Sequence, residues 1–300
     1  MNVQNHIHYN RIALLLEDIY QCKISEGSIF NILNKAYETL ANTEETIKAK
    51  IISSPQMHID ETGYYVENLR KWLFTYSTNN FTYYYFHEKR GKIAMDAANI
   101  LGTFSGVATH DCWMPYDQFE NCSHSYCNAH FLRELNGIKE NTDFKFPDII
   151  KNTLLEMKKL IDSEVPISEE YRTSLISRYC SEIQNGFNEE IEANPINNTK
   201  TGKQGRKKQS KAKNLLLRMS KIPEVLGFFI NPKLIPFDNN LAERDIRMVK
   251  VKQKVSGVHR SNLGAQHFCR IRGYISTIAK NNLNIWQSLR SVFFGNPIMP

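Results

Sequence analysis

Met57-His58-Ile59-Asp60-Glu61-Thr62-Gly63, then Lys71-Trp72-Leu73-Phe74-Thr75-Tyr76-Ser77, then Phe81 to His87 form the stretch on which the fold turns. Its runs are rich in aromatic and β-branched residues and are broken by Gly63 and by Asn79-Asn80, which is how strands and tight turns read. The pattern predicts an antiparallel meander of three strands, the first ending at Asp60 in a Glu61-Thr62-Gly63 turn. Downstream, Gly91 to Leu101 has helical spacing through Ile93 and Ala97. A short fourth strand, Gly106-Val107-Ala108-Thr109, stops at His110-Asp111, and a fifth around His124 to Cys127 leads into a helix from Asn128 through Gly137. This order predicts a mixed α/β domain. If the first and fourth strands are neighbours, Asp60 and Asp111 meet at one end of the sheet, where open α/β sheets bind ligands.

Outward from this core the texture changes twice. Residues 1–50 read as a helical segment: Ile12, Leu15, Leu16 and Ile19 make one apolar stripe, and Ile29, Ile32, Leu33 and Ala36 make another. Ser25 is the expected N-cap between them, giving a helix-turn-helix-like pair. Residues 51–300 form the expected main domain, interrupted at about 138–230 by a helical insertion. Inside that insertion Asn194 to Lys213 carries Lys203, Arg206, Lys207 and Lys208 among seven cations with no acid. Such a run is a solvated loop that can order on phosphates.

The 300 residues carry 38 Lys and Arg against 31 Asp and Glu, a net charge of +7 that leans towards a polyanionic partner. Six irregularly spaced cysteines do not suggest a secreted disulfide framework, and no apolar run is long enough to span a membrane. A soluble, cytoplasmic protein is expected.

The remaining chemistry sits in Pro236-Phe237-Asp238-Asn239-Asn240-Leu241-Ala242-Glu243-Arg244-Asp245-Ile246-Arg247, a turn followed by a helix start. Phosphodiester chemistry needs an attacking oxygen activated and a leaving oxygen stabilised, and two cations held by carboxylates from separate segments can do both. Asp60, Asp111 and Glu243 are the candidates, and Mg²⁺ or Mn²⁺, two ions, the expected cofactor. Each also has a plain reading: Asp60 in an Asx-type turn, Asp111 as a helix cap, Glu243 paired with Arg247 at i+4. Asn239 and Arg247 share the face of Glu243 and are candidates to orient it or to contact phosphate. The cations after it, Arg244, Arg247, Lys250, Lys252, Lys254, Arg260, Arg270 and Arg272, face Asp245 alone and are read as a DNA track, broken by Gly257 and Gly264.

Three blocks together resemble the IS66 family of insertion-sequence transposases, of the DDE superfamily with an RNase H-like core. They are His58-Ile59-Asp60-Glu61-Thr62-Gly63 with the strand around Trp72; Cys127-Asn128-Ala129-His130 with Arg133-Glu134; and Asp238-Asn239-Asn240-Leu241-Ala242-Glu243-Arg244 with Ile246-Arg247. The likeness runs from about residue 10 to a C-terminal segment around Asn282 and Trp286. It implies an RNase H-like five-stranded mixed sheet flanked by helices, with Asp60, Asp111 and Glu243 as the acidic triad and Asp117 as the alternative second corner. It also implies Mg²⁺-dependent cleavage and strand transfer of DNA, with element ends and target DNA as partners, a homodimer or higher assembly on DNA, accessory proteins and no membrane. His130 and Arg133 are expected to support the active site or contact DNA. Cys122, His124, Cys127 and His130 invite a zinc reading, but strand and helix periodicity point their side chains apart. Family members carry a longer, cysteine-rich N-terminal part. The alternatives are therefore a truncated, inactive DNA-binding relic, or an RNase H-like nuclease or resolvase that cuts without joining.

Overall fold

The computed structural model describes residues 1–194 and 209–300. Four helices come first: α1 (Asn2–Asn5), α2 (Tyr9–Tyr20), α3 (Glu26–Thr39) and α4 (Ala41–Ile52). Ser25 caps α3 as expected, its hydroxyl accepting from the Ser28 amide at 3.0 Å. The meander follows as β1 (Gln56–Val66), β2 (Leu69–Ser77) and β3 (Thr82–His87), all antiparallel. After α5 (Lys92–Ala98) come β4 (Val107–His110), parallel to β1, and β5 (Ser123–Tyr126), giving the order β3-β2-β1-β4-β5. Gly106 is required at the entry to β4, because a Cβ there would lie 2.5 Å from the Pro55 carbonyl.

One strand boundary differs from the sequence expectation. β1 does not end at Asp60 but runs six residues further, with Glu61, Thr62 and Gly63 paired to Phe74, Leu73 and Trp72. The turn lies instead at Glu67 (φ 54°) and Asn68 (φ 60°), two left-handed residues of the kind a two-residue hairpin loop requires. Gly63 reads locally as a turn, yet cross-strand pairing with an aromatic partner keeps it extended.

The chain forms two contact units, residues 1–123 with 239–300, and residues 124–238. The second unit is helical: α6 (Asn128–Lys139), α7 (Phe146–Asp162), α8 (Glu169–Ala193), α9 (Lys211–Met219) and α10 (Ile222–Ile230). Within it, Phe131, Leu135, Phe146, Leu154, Tyr179 and Leu216 are buried, and Arg218 grips Glu134 with two hydrogen bonds of 2.9 and 2.6 Å. The first unit is completed by α11 (Asn240–Ser256), α12 (Asn262–Lys280) and α13 (Ile285–Phe293).

Alternation along β1 sends its two residue sets to opposite faces of the sheet. Tyr64 and Val66 share a core with Ile246 and Val249 of α11 and Phe268, Ile271 and Ile275 of α12. Met57 and Ile59 pack on the other face with Ile47 and Ile51 of α4 and Ala94 and Met95 of α5. The helices of residues 1–50 belong to the first unit, where α3 and α4 pack on α12. Arg270 pairs with Glu44 at 2.6 Å and Arg272 donates to Gln4 at 2.6 Å, so these two cations of the basic run are engaged inside the unit.

The loop after α11 closes the free edge of β1: the Glu67 amide donates to the His259 carbonyl at 2.9 Å. His259 itself is buried against the Tyr64 hydroxyl. Burial pushes its pKa down to about 3, with the Lys252 and His267 charges acting in the same direction. The folded pKa lies below the unfolded one, so the unfolded chain takes up the proton first. Stability is unaffected above about pH 6.5 and declines below it by up to ~1.4 kcal/mol per pH unit from this group. His259→Gln is expected to flatten urea-denaturation stability between pH 6.5 and 4; a slope equal to the wild type's would refute this.

Candidate active site

Asp60 lies two residues beyond His58, the last β1 residue paired with β4, and Asp111 lies two residues beyond His58's partner Thr109. Carried past the last pair, equal offsets bring Asp60 and Asp111 to the same level of the two chains, although the pairing itself stops at His58 and Thr109. The neighbour relation on which the sequence reading depended is therefore met, although Asp60 stands mid-strand and only its parallel partner ends there.

Glu243 comes from the opposite direction in sequence. It lies in the first turn of α11, which packs on β1 and β2. The helix start is pinned by Asn239, which is 1% exposed. The Asn239 side-chain amide donates to the Ile59 carbonyl at 2.7 Å, and its oxygen meets His58 Nδ1 at 2.9 Å. That oxygen can only accept, so His58 carries its proton on Nδ1. His58 and Asp60 share a face of β1 by alternation. Asn239 thus clamps the helix bearing Glu243 to the face that carries Asp60.

The electrostatics agree with this convergence. The Asp60 pKa is pushed up to about 8, first by burial, then by the Glu61, Asp111 and Glu243 carboxylates, while the Glu61 amide bound to Asp60 Oδ1 at 2.9 Å opposes the rise. A carboxylate crowded by others and cut off from water either holds a proton or requires a cation. Carboxylate oxygens are the ligands a hard divalent ion takes, and among the described residues the ligand atoms of Asp60, Asp111 and Glu243 do not all lie within 4.8 Å of one another. Asp111 Oδ1 also accepts from the Trp113 amide at 3.0 Å, as in an Asx-type turn; the helix-cap reading of Asp111 is not met, because the next helical turn is Tyr116–Gln118 and its N-cap is Pro115.

Arg244, Arg247, Lys250, Lys254 and Arg260 are exposed on or after α11. Lys250 donates to the Gly63 carbonyl at 3.2 Å and is close enough to Asp60 for that carboxylate to support its charge against burial and Arg70. Lys252 differs: it is 6% exposed and donates to the Gly257 carbonyl at 3.3 Å, and burial lowers its pKa to about 8. Its period on α11 turns it inward, away from any solvent-facing track. Lys203, Arg206, Lys207 and Lys208 lie outside the described residues. His130 and Arg133 stand on α6 of the second unit, where Arg133 is exposed and its Nε donates to the Ala129 carbonyl. Cys122 is buried, and burial pushes its thiol up to about 11.

Sequence reasoning missed two groups. Glu61 faces the α4–α5 side of the sheet; its side chain is 3% exposed, paired with Arg90 at 2.6 Å and hydrogen-bonded by the Tyr116 hydroxyl. The Asp60-Glu61 dipeptide was the available signal, read as turn chemistry. Asp245 sits two residues after Glu243 and ties α11 to the sheet and to α12. It accepts from Ser77 at 2.6 Å and from Thr82 at 3.1 Å, and pairs with Lys280 at 2.7 Å.

A mixed sheet of three antiparallel strands and a parallel fourth, helices on both faces and carboxylates at the β1–β4 junction define the RNase H-like class of α/β protein. The chain belongs to the transposase IS66 family, whose model matches residues 1–267 of the 300. Membership brings a transposase role, DNA as the partner that role implies, and dependence on a divalent metal. No curated protein matches the chain. Among the described residues no helix is long and apolar enough to cross a membrane.

Proposed function

We propose that the chain cleaves DNA at the ends of an insertion sequence and joins the freed 3′-hydroxyl to target DNA, with Asp60, Asp111 and Glu243 as the catalytic and metal-holding triad. The observation that carries this reading is the equal offset of Asp60 and Asp111 beyond the last β1–β4 pair, with Glu243 among the carboxylates that raise the Asp60 pKa. Two Mg²⁺ or Mn²⁺ ions held by these oxygens would activate the attacking oxygen and stabilise the leaving one. In the first step water attacks the phosphodiester at the element end and a 3′-hydroxyl leaves. In the second that hydroxyl attacks a target phosphodiester and a target 3′-oxygen leaves. Asn239 and His58 hold Glu243 in place, while Lys250, close to Asp60, and the exposed Arg244, Lys254 and Arg260 offer phosphate-binding cations. Residues 51–300 serve as the catalytic domain in this reading.

The test is cleavage and strand transfer on a duplex carrying the element's own ends, in Mg²⁺, for wild type, Asp60→Asn, Asp111→Asn and Glu243→Gln. Wild type is expected to give joined product. Each variant should lose at least ~100-fold, the upper range for removing even an outer-shell partner of a metal site. Cleavage without joining would favour a nuclease, and DNA retention without cleavage in the wild type would favour a regulatory relic.

A further inference from the structure

Arg90 stands outside the triad, yet three elements meet on it. Its Nη2 and Nε reach Glu61 Oε1 at 2.6 and 3.3 Å. Its guanidinium carbon lies 4.6 Å from the centre of the Trp72 ring and 3.9 Å from that of Trp113. Glu61 belongs to β1, beside Asp60, Trp72 belongs to β2, and Trp113 follows Asp111 by two residues.

The contacts on the Trp113 side are equally specific. Its backbone amide holds Asp111 Oδ1 at 3.0 Å, and its carbonyl accepts from the Tyr116 amide at 3.1 Å. Tyr116 meets the indole edge-on, 5.6 Å between ring centres, and its hydroxyl donates to the second oxygen of Glu61. Both ends of the Asp111–Tyr116 turn are thereby tied to Glu61, one through Arg90 and one through Tyr116. Guanidinium stacking and charge-paired hydrogen bonds are directional, and a lysine ammonium supplies neither the flat face nor the fork.

We propose that Arg90, held between Trp72 and Trp113 and anchored on Glu61, is the positioning residue that fixes the Asp111 loop against the Asp60 strand and so sets the affinity of the carboxylate pair for divalent metal. Asp60 and Asp111 can share a cation only at a fixed separation. β4 ends at His110, so ladder hydrogen bonds do not fix Asp111. The Glu61–Arg90–Trp113 chain replaces them. This inference rests on the triad reading above.

The experiment measures Mn²⁺ binding to the full chain without DNA, from the paramagnetic resonance signal of free Mn²⁺, for wild type, Arg90→Lys, Trp113→Leu and the double variant. Circular dichroism first establishes that each is folded; if Arg90→Lys is not, Trp113→Leu reads the same link from its other end. Each single variant is expected to weaken binding by ~10–100-fold, as loss of an outer-shell partner does. The double variant should be no weaker than the worse single, because both break one chain of contacts. Strand cleavage by Arg90→Lys should recover at raised metal with KM for DNA unchanged. Unchanged Mn²⁺ affinity together with a raised KM for DNA would overturn the proposal, making Arg90 a phosphate contact. Additive losses in the double variant would also overturn it. A wild type that binds no Mn²⁺ would remove the triad reading itself, a result distinct from both.

Discussion

Asp60→Asn is expected to raise the thermal midpoint of the metal-free protein at pH 8 while abolishing its response to divalent ions. In the folded chain Asp60 holds its proton up to about pH 8, against an ordinary value of 3.8. The folded pKa is raised, so the contribution of this group is fully present below about pH 3.8 and is lost as pH rises through 8. The loss runs at up to ~1.4 kcal/mol per pH unit and levels off above pH 8. Asparagine keeps the shape and removes the charge, so the gap between variant and wild type should open from nothing near pH 4 to a few kcal/mol at pH 8. Divalent metal should offset the same repulsion in the wild type and raise its midpoint saturably. Scanning calorimetry in chelator, then across a Mg²⁺ or Mn²⁺ titration, reads both effects. A variant no more stable than wild type at pH 8 would mean the carboxylates are not crowded as the geometry indicates.

The second large effect lies two residues from Glu243. Asp245 and Lys280 side chains are each 13% exposed and 2.7 Å apart, and the carboxylate also accepts from the Ser77, Thr82 and Ser276 hydroxyls. Asp245→Ala leaves Lys280 nearly buried without a counter-charge, a change that costs about 3–5 kcal/mol. Burial already lowers the Lys280 pKa, and Asp245 is the principal group opposing that shift. Urea denaturation is expected to show the single-variant loss. Asp245→Leu with Lys280→Met, which removes both charges together, should recover most of it. Equal losses in the single and double variants would place the stability elsewhere in the site. Because Asp245 anchors the helix that carries Glu243, Asp245→Ala is also expected to reduce strand cleavage.

Much of this was legible locally. Aromatic and β-branched runs gave β2, β3 and β4 within two residues of their observed ends, and Gly257 marked where α11 stops. The basic run was less legible, because charge alone does not reveal which way a helix turns. Lys252, Arg270 and Arg272 look like Lys250 and Arg260 in sequence but are engaged within the unit. Glu61 was hidden for a similar reason. Beside Gly63 it resembles a turn, and only the partner strand holds it extended, pointing to the face opposite Asp60.

Taken alone, the sequence determined which segments are strands and helices and that Asp60, Asp111 and Glu243 were the carboxylates to compare. Both follow from periodicity and residue chemistry over a few neighbours. Tertiary structure alone decided that β1 and β4 are paired in a register that aligns Asp60 with Asp111. It also decided that Asn239 clamps Glu243 to the same face, and that Arg90 links Glu61 to the loop after Asp111. Those facts join residues 23 to 181 positions apart. Such contacts depend on how sheet, helix and loop pack together, which no local window of sequence encodes.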